Sequence, residues 1–282
     1  MLSHPGHPVI ATENAPLLSP FDDPECRYAA FPSEMLTFSA PSFTEGQVSV
    51  RGPLILGELA DGLERCLRGE SSCPVDLTVI DAATREFLQQ ALGEGEIAIL
   101  ADQSPLRLSI RESVFPGLWR VMVSREGLLE QDYLEVGAVP GAVSNWAHDL
   151  TRDPPPPPAA YPPGLMNAPA LIHEIHAKAS GFKVGHEEVF NLTLLPMTQD
   201  DLRCLAVSLD LAGLSILSKG YGDCRVSLTR LPNVWWVQYF NSTDQLILNT
   251  IELTAVPRVV LAAAEDFEDS AQRLREFGAS LG

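Results

Sequence analysis

The sequence predicts an α+β protein made of two similar repeats, each a mainly antiparallel sheet packed with helices. Three observations carry this reading. One order of helix-like and strand-like segments occurs twice, short strands follow one another through hairpin-length connections such as Pro116-Gly117 and Pro232-Asn233, and a run of prolines lies between the two occurrences. The repeat is clearest around Arg107-Leu-Ser-Ile-Arg-Glu-Ser-Val-Phe-Pro-Gly-Leu-Trp119-Arg-Val-Met-Val. It matches Arg225-Val-Ser-Leu-Thr-Arg-Leu-Pro-Asn-Val-Trp235-Trp-Val-Gln-Tyr after a two-residue slip, placing Trp119 on Trp235 and Pro116 on Pro232. Downstream, Asp132-Tyr-Leu-Glu135-Val falls on Asn249-Thr-Ile-Glu252-Leu, and Val139-Pro140 on Val256-Pro257; upstream, Leu77-Thr-Val-Ile80 falls on Leu192-Thr-Leu-Leu195, and Ile97-Ala-Ile-Leu100 on Leu214-Ser-Ile-Leu217.

Taken in order, residues 1–45 hold seven of the 23 prolines without helical or alternating periodicity and read as an N-terminal arm. The first repeat, 46–150, reads as a helix over about 54–66, a strand over 75–80, a helix over 84–93, four short strands and a closing helix after Val139-Pro140. Residues 151–165 contain Arg152-Asp153, five consecutive prolines and then Pro162-Pro163, the composition of a stiff polyproline II spacer. The second repeat, 166–282, gives a helix over about 169–179, a strand over 188–195, a helix over 198–210, four strands and the Val256-Pro257 step. A last helix over about 265–277 starts acidic and holds Arg273 and Arg275 near its end, which complements the helix dipole.

Composition excludes several classes of function. With 37 acidic against 19 basic residues the formal charge is -18, which opposes nonspecific binding to nucleic acid or anionic lipid, and no basic run offsets it. The apolar stretches fall short of the roughly 20 residues of a membrane span, and the opening residues lack the basic and apolar regions of a secretory signal. The expected location is the cytoplasm. Five cysteines, at 26, 66, 73, 204 and 224, form an odd set without a Cys-x-x-Cys pair, so free thiols are expected rather than disulfides or a structural metal cage.

Catalytic patterns are missing: there is no nucleophile elbow, phosphate loop or dinucleotide fingerprint. His173 and His176 flank Glu174 on a helix but lack the i, i+4 spacing of zinc proteases, and read as solvated helix histidines. Cys224 follows a Gly-Tyr-Gly turn and precedes Arg225, whose charge would favour a thiolate; the alternative is a buried cysteine packing as a small hydrophobe. Residues 234–240 alternate Trp235, Val237 and Tyr239 on one strand face with Val234, Trp236, Gln238 and Phe240 on the other. Only the first face stays apolar in both repeats, so it is the expected core. Trp236 and Phe240 stand where the first repeat has Arg120 and Ser124, which marks them as an exposed or interfacial patch unless the arm or spacer covers them.

The segments Gly220-Tyr-Gly-Asp-Cys224-Arg, Asn233-Val-Trp-Trp-Val-Gln-Tyr-Phe-Asn241-Ser and Leu248-Asn-Thr-Ile-Glu252 resemble the C-terminal region of the HupH/HyaF type of hydrogenase expression/formation proteins. The resemblance is specific over about 220–258, extends back to about 165, and thins over 1–70. It implies a non-catalytic accessory role in [NiFe]-hydrogenase maturation, with the small, iron–sulfur-carrying subunit precursor or its assembly complex as partner. It carries over no catalytic residue and implies no cofactor. On this reading Trp236, Gln238, Phe240 and Asn241 form the partner-binding surface, and acidic charge steers toward a basic client such as a twin-arginine export signal. The runner-up function is an iron–sulfur or metal carrier using Cys224, with a thiol-dependent enzyme behind it.

Overall fold

The structure, a computed structural model, describes residues 51–219 and 223–281. The arm expected over 1–45, Cys26 and the Gly220-Tyr221-Gly222 turn lie outside the described residues. The first half runs α1 (Arg51–Leu67), β1 (Val75–Asp76), α2 (Ala82–Leu92), β2 (Ile97–Gln103), β3 (Leu106–Glu112), β4 (Leu118–Arg125), β5 (Leu128–Val136) and α3 (Gly141–Leu150). The second runs α4 (Ala168–Ser180), β6 (Glu188–Asn191), α5 (Gln199–Leu209), β7 (Leu211–Ser218), β8 (Cys224–Thr229), β9 (Val234–Phe240) and β10 (Leu246–Leu253). A 3-10 turn (Arg258–Val260) and α6 (Ala264–Ser280) follow.

The α+β class and the repeated element order stand, but the halves are not held apart by a spacer. All ten strands form one antiparallel sheet in the order β1-β5-β4-β3-β2-β7-β8-β9-β10-β6. The join is β2 on β7, with Ile99 opposite Ile216, Ala98 opposite Leu217 and Leu100 opposite Ser215. Ile99 and Ile216 are the same position of the two repeats, so an approximate twofold axis passes through that pair. Two separate sheets would each have left an apolar strand with an open edge, and pairing the two removes both edges. The proline-rich segment runs along the second half instead: the Asp153 carbonyl accepts from the Arg230 guanidinium at 3.2 Å, and Tyr161 packs into the core under α4.

Helices cover both faces of the sheet. On one face α1, α2 and α6 bury Leu56, Leu63, Phe87, Leu118, Leu134 and Leu274, while α4 and α5 bury Ile172, Leu205, Trp236 and Ile251. On the other, α3 and the 3-10 turn bring Val143 and Val260 onto Ile99, Ile216, Trp119 and Trp235. The two tryptophans repeat their bonding as well as their place: Trp119 Nε1 donates to the Gly137 carbonyl at 2.8 Å, and Trp235 Nε1 to the Thr254 carbonyl at 3.1 Å.

The strands expected over 75–80 and 188–195 stop early for one local reason. Asp76 and Asn191 each accept the N–H of the residue two further on, Thr78 at 2.8 Å and Thr193 at 3.0 Å, and this turn competes with the ladder. Leu77 N and Leu192 N then bond the carbonyls of Asp132 and Asn249 at 2.8 and 2.9 Å. The second repeat also departs from the first at its end. Only a 3-10 turn occupies the place of α3, and α6 crosses to the first half, where Phe267, Ala271 and Leu274 join the core of α1. Gly117, at φ 84°, makes room for it, since a Cβ there would lie 2.2 Å from the Phe267 ring. Arg275 bridges Asp61, at 2.7 Å, and Glu64 of α1.

Asp201 ties α4 to α5. Its buried carboxylate closes a capping box with Thr198 and accepts the N–H groups of Met166, Asn167 and Ala168 at 2.9, 3.1 and 3.0 Å. Burial raises the carboxyl's pKa, but these bonds outweigh it and hold the group down at about 2. Among the described residues, no helix is long and apolar enough to cross a membrane.

Candidate functional site

Trp235 lies in the core, as the alternation of β9 requires. Trp236 is buried equally well, at 1% exposure, so the expectation of an exposed aromatic patch is corrected. The second face of β9 packs under α4 and α5, where Trp236 meets Ile172, Leu205 and Ile251. Its indole N–H donates to Asn249 Oδ1 at 2.6 Å. Phe240 and Gln238 are also buried, and the Arg225 guanidinium sits 4.7 Å from the Phe240 ring centroid. Asn241 is half-buried and organises its own turn, accepting from Thr243 N at 3.0 Å and Gln245 N at 2.9 Å. Three of the four expected partner-binding side chains therefore lie together on one face of β9, inside the protein.

The first repeat explains the misreading. Arg120, in the place of Trp236, bonds both carboxylate oxygens of Asp132, at 2.9 and 2.8 Å, and Asp132 stands in the place of Asn249. Asp132 is buried, and Arg120 is covered by α2, with Gln89 Oε1 at 3.3 Å. The two positions form a coupled pair in each half, an ion pair in one and an indole–amide bond in the other. A polar residue in one copy did not mark a solvent face. The signal was the simultaneous change of Asp132 to Asn249 on the neighbouring strand.

Cys224 is buried on the opposite face of β8. Burial pushes its thiol up to about 12, against a smaller opposing hydrogen bond from Tyr239, whose own hydroxyl is likewise pushed up to about 12 by burial. Arg225 does not favour a thiolate, because alternation sends it to the other face, over Phe240. His173 is exposed and edge-on to Tyr161 at 5.7 Å between centroids. His176 is not a solvated histidine: its Nε2 is buried without a partner among the described residues, and burial lowers its pKa. Among the described residues, no three His, Cys, Asp or Glu side chains stand together as metal ligands.

Sequence reasoning singled out neither Asp201 nor Glu112. Glu112, at the end of β3, is buried and has its carboxyl pushed up to about 7, chiefly by burial; only a 3.4 Å N–H from Gly117 opposes this.

Known proteins place this repeated sheet. The model of the C-terminal conserved region of HupH hydrogenase expression protein matches residues 50–153 and again 165–281. This chain belongs to the HupH family. The family region occurs once in each half of the sheet, and the stretch between the matches is the proline-rich segment. Among HupH-family relatives, the hydrogenase expression/formation protein HupH of Rhodobacter capsulatus is 43% identical over 262 residues, covering 91% of this chain and 92% of the relative. HoxQ of Cupriavidus necator, also a hydrogenase expression/formation protein, is 37% identical over 267 residues, covering 90% and 91%. The hydrogenase-1 operon protein HyaF of Escherichia coli is 36% identical over 206 residues, covering 72% and 71%. A solved structure, hydrogenase expression protein HupH from Thiobacillus denitrificans, is 26% identical, covers 40% of this chain and 96% of that one, and has a TM-score of 0.38.

Proposed function

We propose that this chain is a non-catalytic accessory protein of [NiFe]-hydrogenase maturation that binds the precursor of the small, iron–sulfur-carrying subunit or the complex that assembles it. Family membership carries the reading: relatives named for hydrogenase expression and formation align over nearly the whole chain. The chemistry of the fold agrees with a binding role. Its buried cysteine holds a proton far above neutrality, and its strand tryptophans build the sheet rather than a cleft. Since Trp236, Gln238 and Phe240 are internal, the client is met by other surfaces, and the acidic charge of -18 favours a basic one.

The test is co-purification of tagged full-length protein with an immature hydrogenase small subunit, under aerobic and anaerobic conditions. The full chain is required, because a fragment starting near residue 165 exposes the β7 edge and sends α6 without its partner helix. Capture of the precursor, and not of the mature subunit, is the expected result. Failure to capture it in both atmospheres refutes the proposal.

A further inference from the structure

The approximate twofold symmetry breaks at the two ends of the sheet. In the second half, β6 covers β10 from Thr250 to Leu253, and beyond it the Asn249 N–H donates to Thr193 Oγ1 at 2.8 Å. In the first half β1 covers only Tyr133 and Leu134. Thr78, in the place of Thr193, gives its hydroxyl to Asp76 at 2.6 Å, and the Asp132 N–H, in the place of Asn249 N–H, has no partner among the described residues. The outer edge of β5 from Leu128 to Gln131, like that of β10 from Leu246 to Leu248, has no strand beside it among those residues, and Leu128 and Leu129 are 75% and 54% exposed. A groove of about 540 Å³ runs along this edge, between the turn after β1 and the start of α3.

We propose that the outer edge of β5 takes up an extended basic segment of a partner polypeptide as an added strand, its cationic side chains lying in that groove. An open edge supplies main-chain bonding without sequence preference, so the lining sets the choice. Among the described residues that lining holds Asp76, Glu130, Asp132 and Glu135 and no lysine or arginine. Glu130 and Asp132 are paired with Arg125 and Arg120, but Asp76 and Glu135 meet only a threonine and a backbone N–H, which leaves their charge uncompensated by any side-chain cation among the described residues. Tyr133, half-exposed on the floor, offers an aromatic surface to an aliphatic stem or a cation. The same charges exclude two other occupants. The chain's own first 45 residues carry Glu13, Asp22, Asp23, Glu25, Glu34 and Glu45 against Arg27 alone, and a second copy pairing edge to edge sets Glu130 against its own kind. The register irregularity between Val123 and Ser124, which bends β5 at Glu130, further disfavours self-pairing.

The proposal deepens the maturation reading, on which the identity of its client rests, by naming the surface and the kind of segment bound. The probe is a labelled nine-residue peptide alternating arginine and valine, titrated into the full-length protein while amide hydrogen exchange is followed. Binding that weakens with salt, slows exchange over Leu128–Asp132 but not over residues 246–249, and drops at least tenfold on alternate N-methylation of the peptide is expected. A similar loss is expected with glutamate in place of arginine, and in the Asp76→Asn, Glu135→Gln chain, whose side chains keep their acceptor oxygens. Equal binding of the N-methylated or glutamate peptide, or no slowing at β5, overturns the proposal. Precursor capture is measured with the same variant. Capture undiminished while the peptide is lost overturns β5 as the client surface and leaves the maturation reading standing; peptide bound at β5 without capture of any precursor refutes that reading and leaves the edge site in place.

Discussion

Replacing Trp236 by alanine tests whether the second face of β9 is interior or interface. The side chain is 1% exposed and packs among Ile172, Leu205 and Ile251 beneath two helices. Large-to-small changes at such sites cost about 3–5 kcal/mol through lost transfer energy and the cavity left behind. The change also strips Asn249 Oδ1 of the indole N–H that bonds it at 2.6 Å, adding about 1–3 kcal/mol if no water replaces it. Trp236→Phe separates the two contributions, since it keeps most of the packing and loses the bond. At about 2–4 °C per kcal/mol for chains somewhat smaller than this one, Trp236→Ala lowers Tm by roughly 6–32 °C, the upper part of that range applying where no water replaces the lost bond, while Trp236→Phe gives a smaller fall. Differential scanning fluorimetry with near-UV circular dichroism follows both. Trp235→Ala, at the other face of the same strand, is the comparison and is expected to fall in the same range. A Tm for Trp236→Ala within 2 °C of the parent, with near-UV signal retained, refutes the packing argument and restores the interfacial reading.

Three further outcomes are expected. Glu112, with its folded pKa raised from 4.5 to about 7, binds its proton more tightly folded than unfolded, so its contribution to stability falls as pH rises through that window. Glu112→Gln therefore raises Tm at pH 8, by an amount corresponding to roughly 3 kcal/mol, and changes it little at pH 4; an equal effect at both values rejects the assignment. Asp201, depressed from 3.8 to about 2, works the other way: it stabilises above its ordinary range and its contribution is lost as pH falls toward 2. Asp201→Ala leaves three N–H groups at the start of α4 without their acceptor and costs roughly 2–4 kcal/mol at neutral pH, and urea unfolding with no change in midpoint counts against it. Cys224 should resist iodoacetamide at pH 8 in the native protein while exposed Cys73 is modified, as read by peptide mass mapping; alkylation of the two at equal rates contradicts the buried thiol.

The element order was legible because hydrophobic period and turn residues are local signals. α2, α5 and the hairpin strands lie close to where alternation and capping residues place them, and the Val-Pro steps mark the chain turning off the sheet in both halves. What was not legible depends on contacts between distant segments. Ile97-Ala-Ile-Leu100 and Leu214-Ser-Ile-Leu217 read as strands without saying that each is the other's neighbour, so the join was missed and the prolines were given a separating role. Arg120 failed as a guide to Trp236 because charge in a sequence does not reveal a buried partner, and Asp132 reaches it only through the β4–β5 register. Asp76 and Asn191 cut two strands short by side-chain bonds that propensity does not anticipate. The unequal sheet ends, on which the binding proposal stands, come from β1 pairing two residues where β6 pairs four, and beyond them from one hydroxyl: Thr193 accepts a backbone N–H, whereas Thr78 donates to Asp76.

The crossing of α6 fixes an order of events during synthesis. The N-terminal half emerges from the ribosome first, yet the core around α1 is closed by Phe267, Ala271 and Leu274, which are made long after it. Between Leu67 and Ala264 lie nearly two hundred residues, which at about 5–20 residues per second take roughly 10–40 s to add. Throughout that interval α1 presents its apolar flank without its final cover, and Gly117 holds open a space for a ring not yet translated. A message truncated before residue 264 yields a product in which the core around α1 lacks this cover, open to proteolysis.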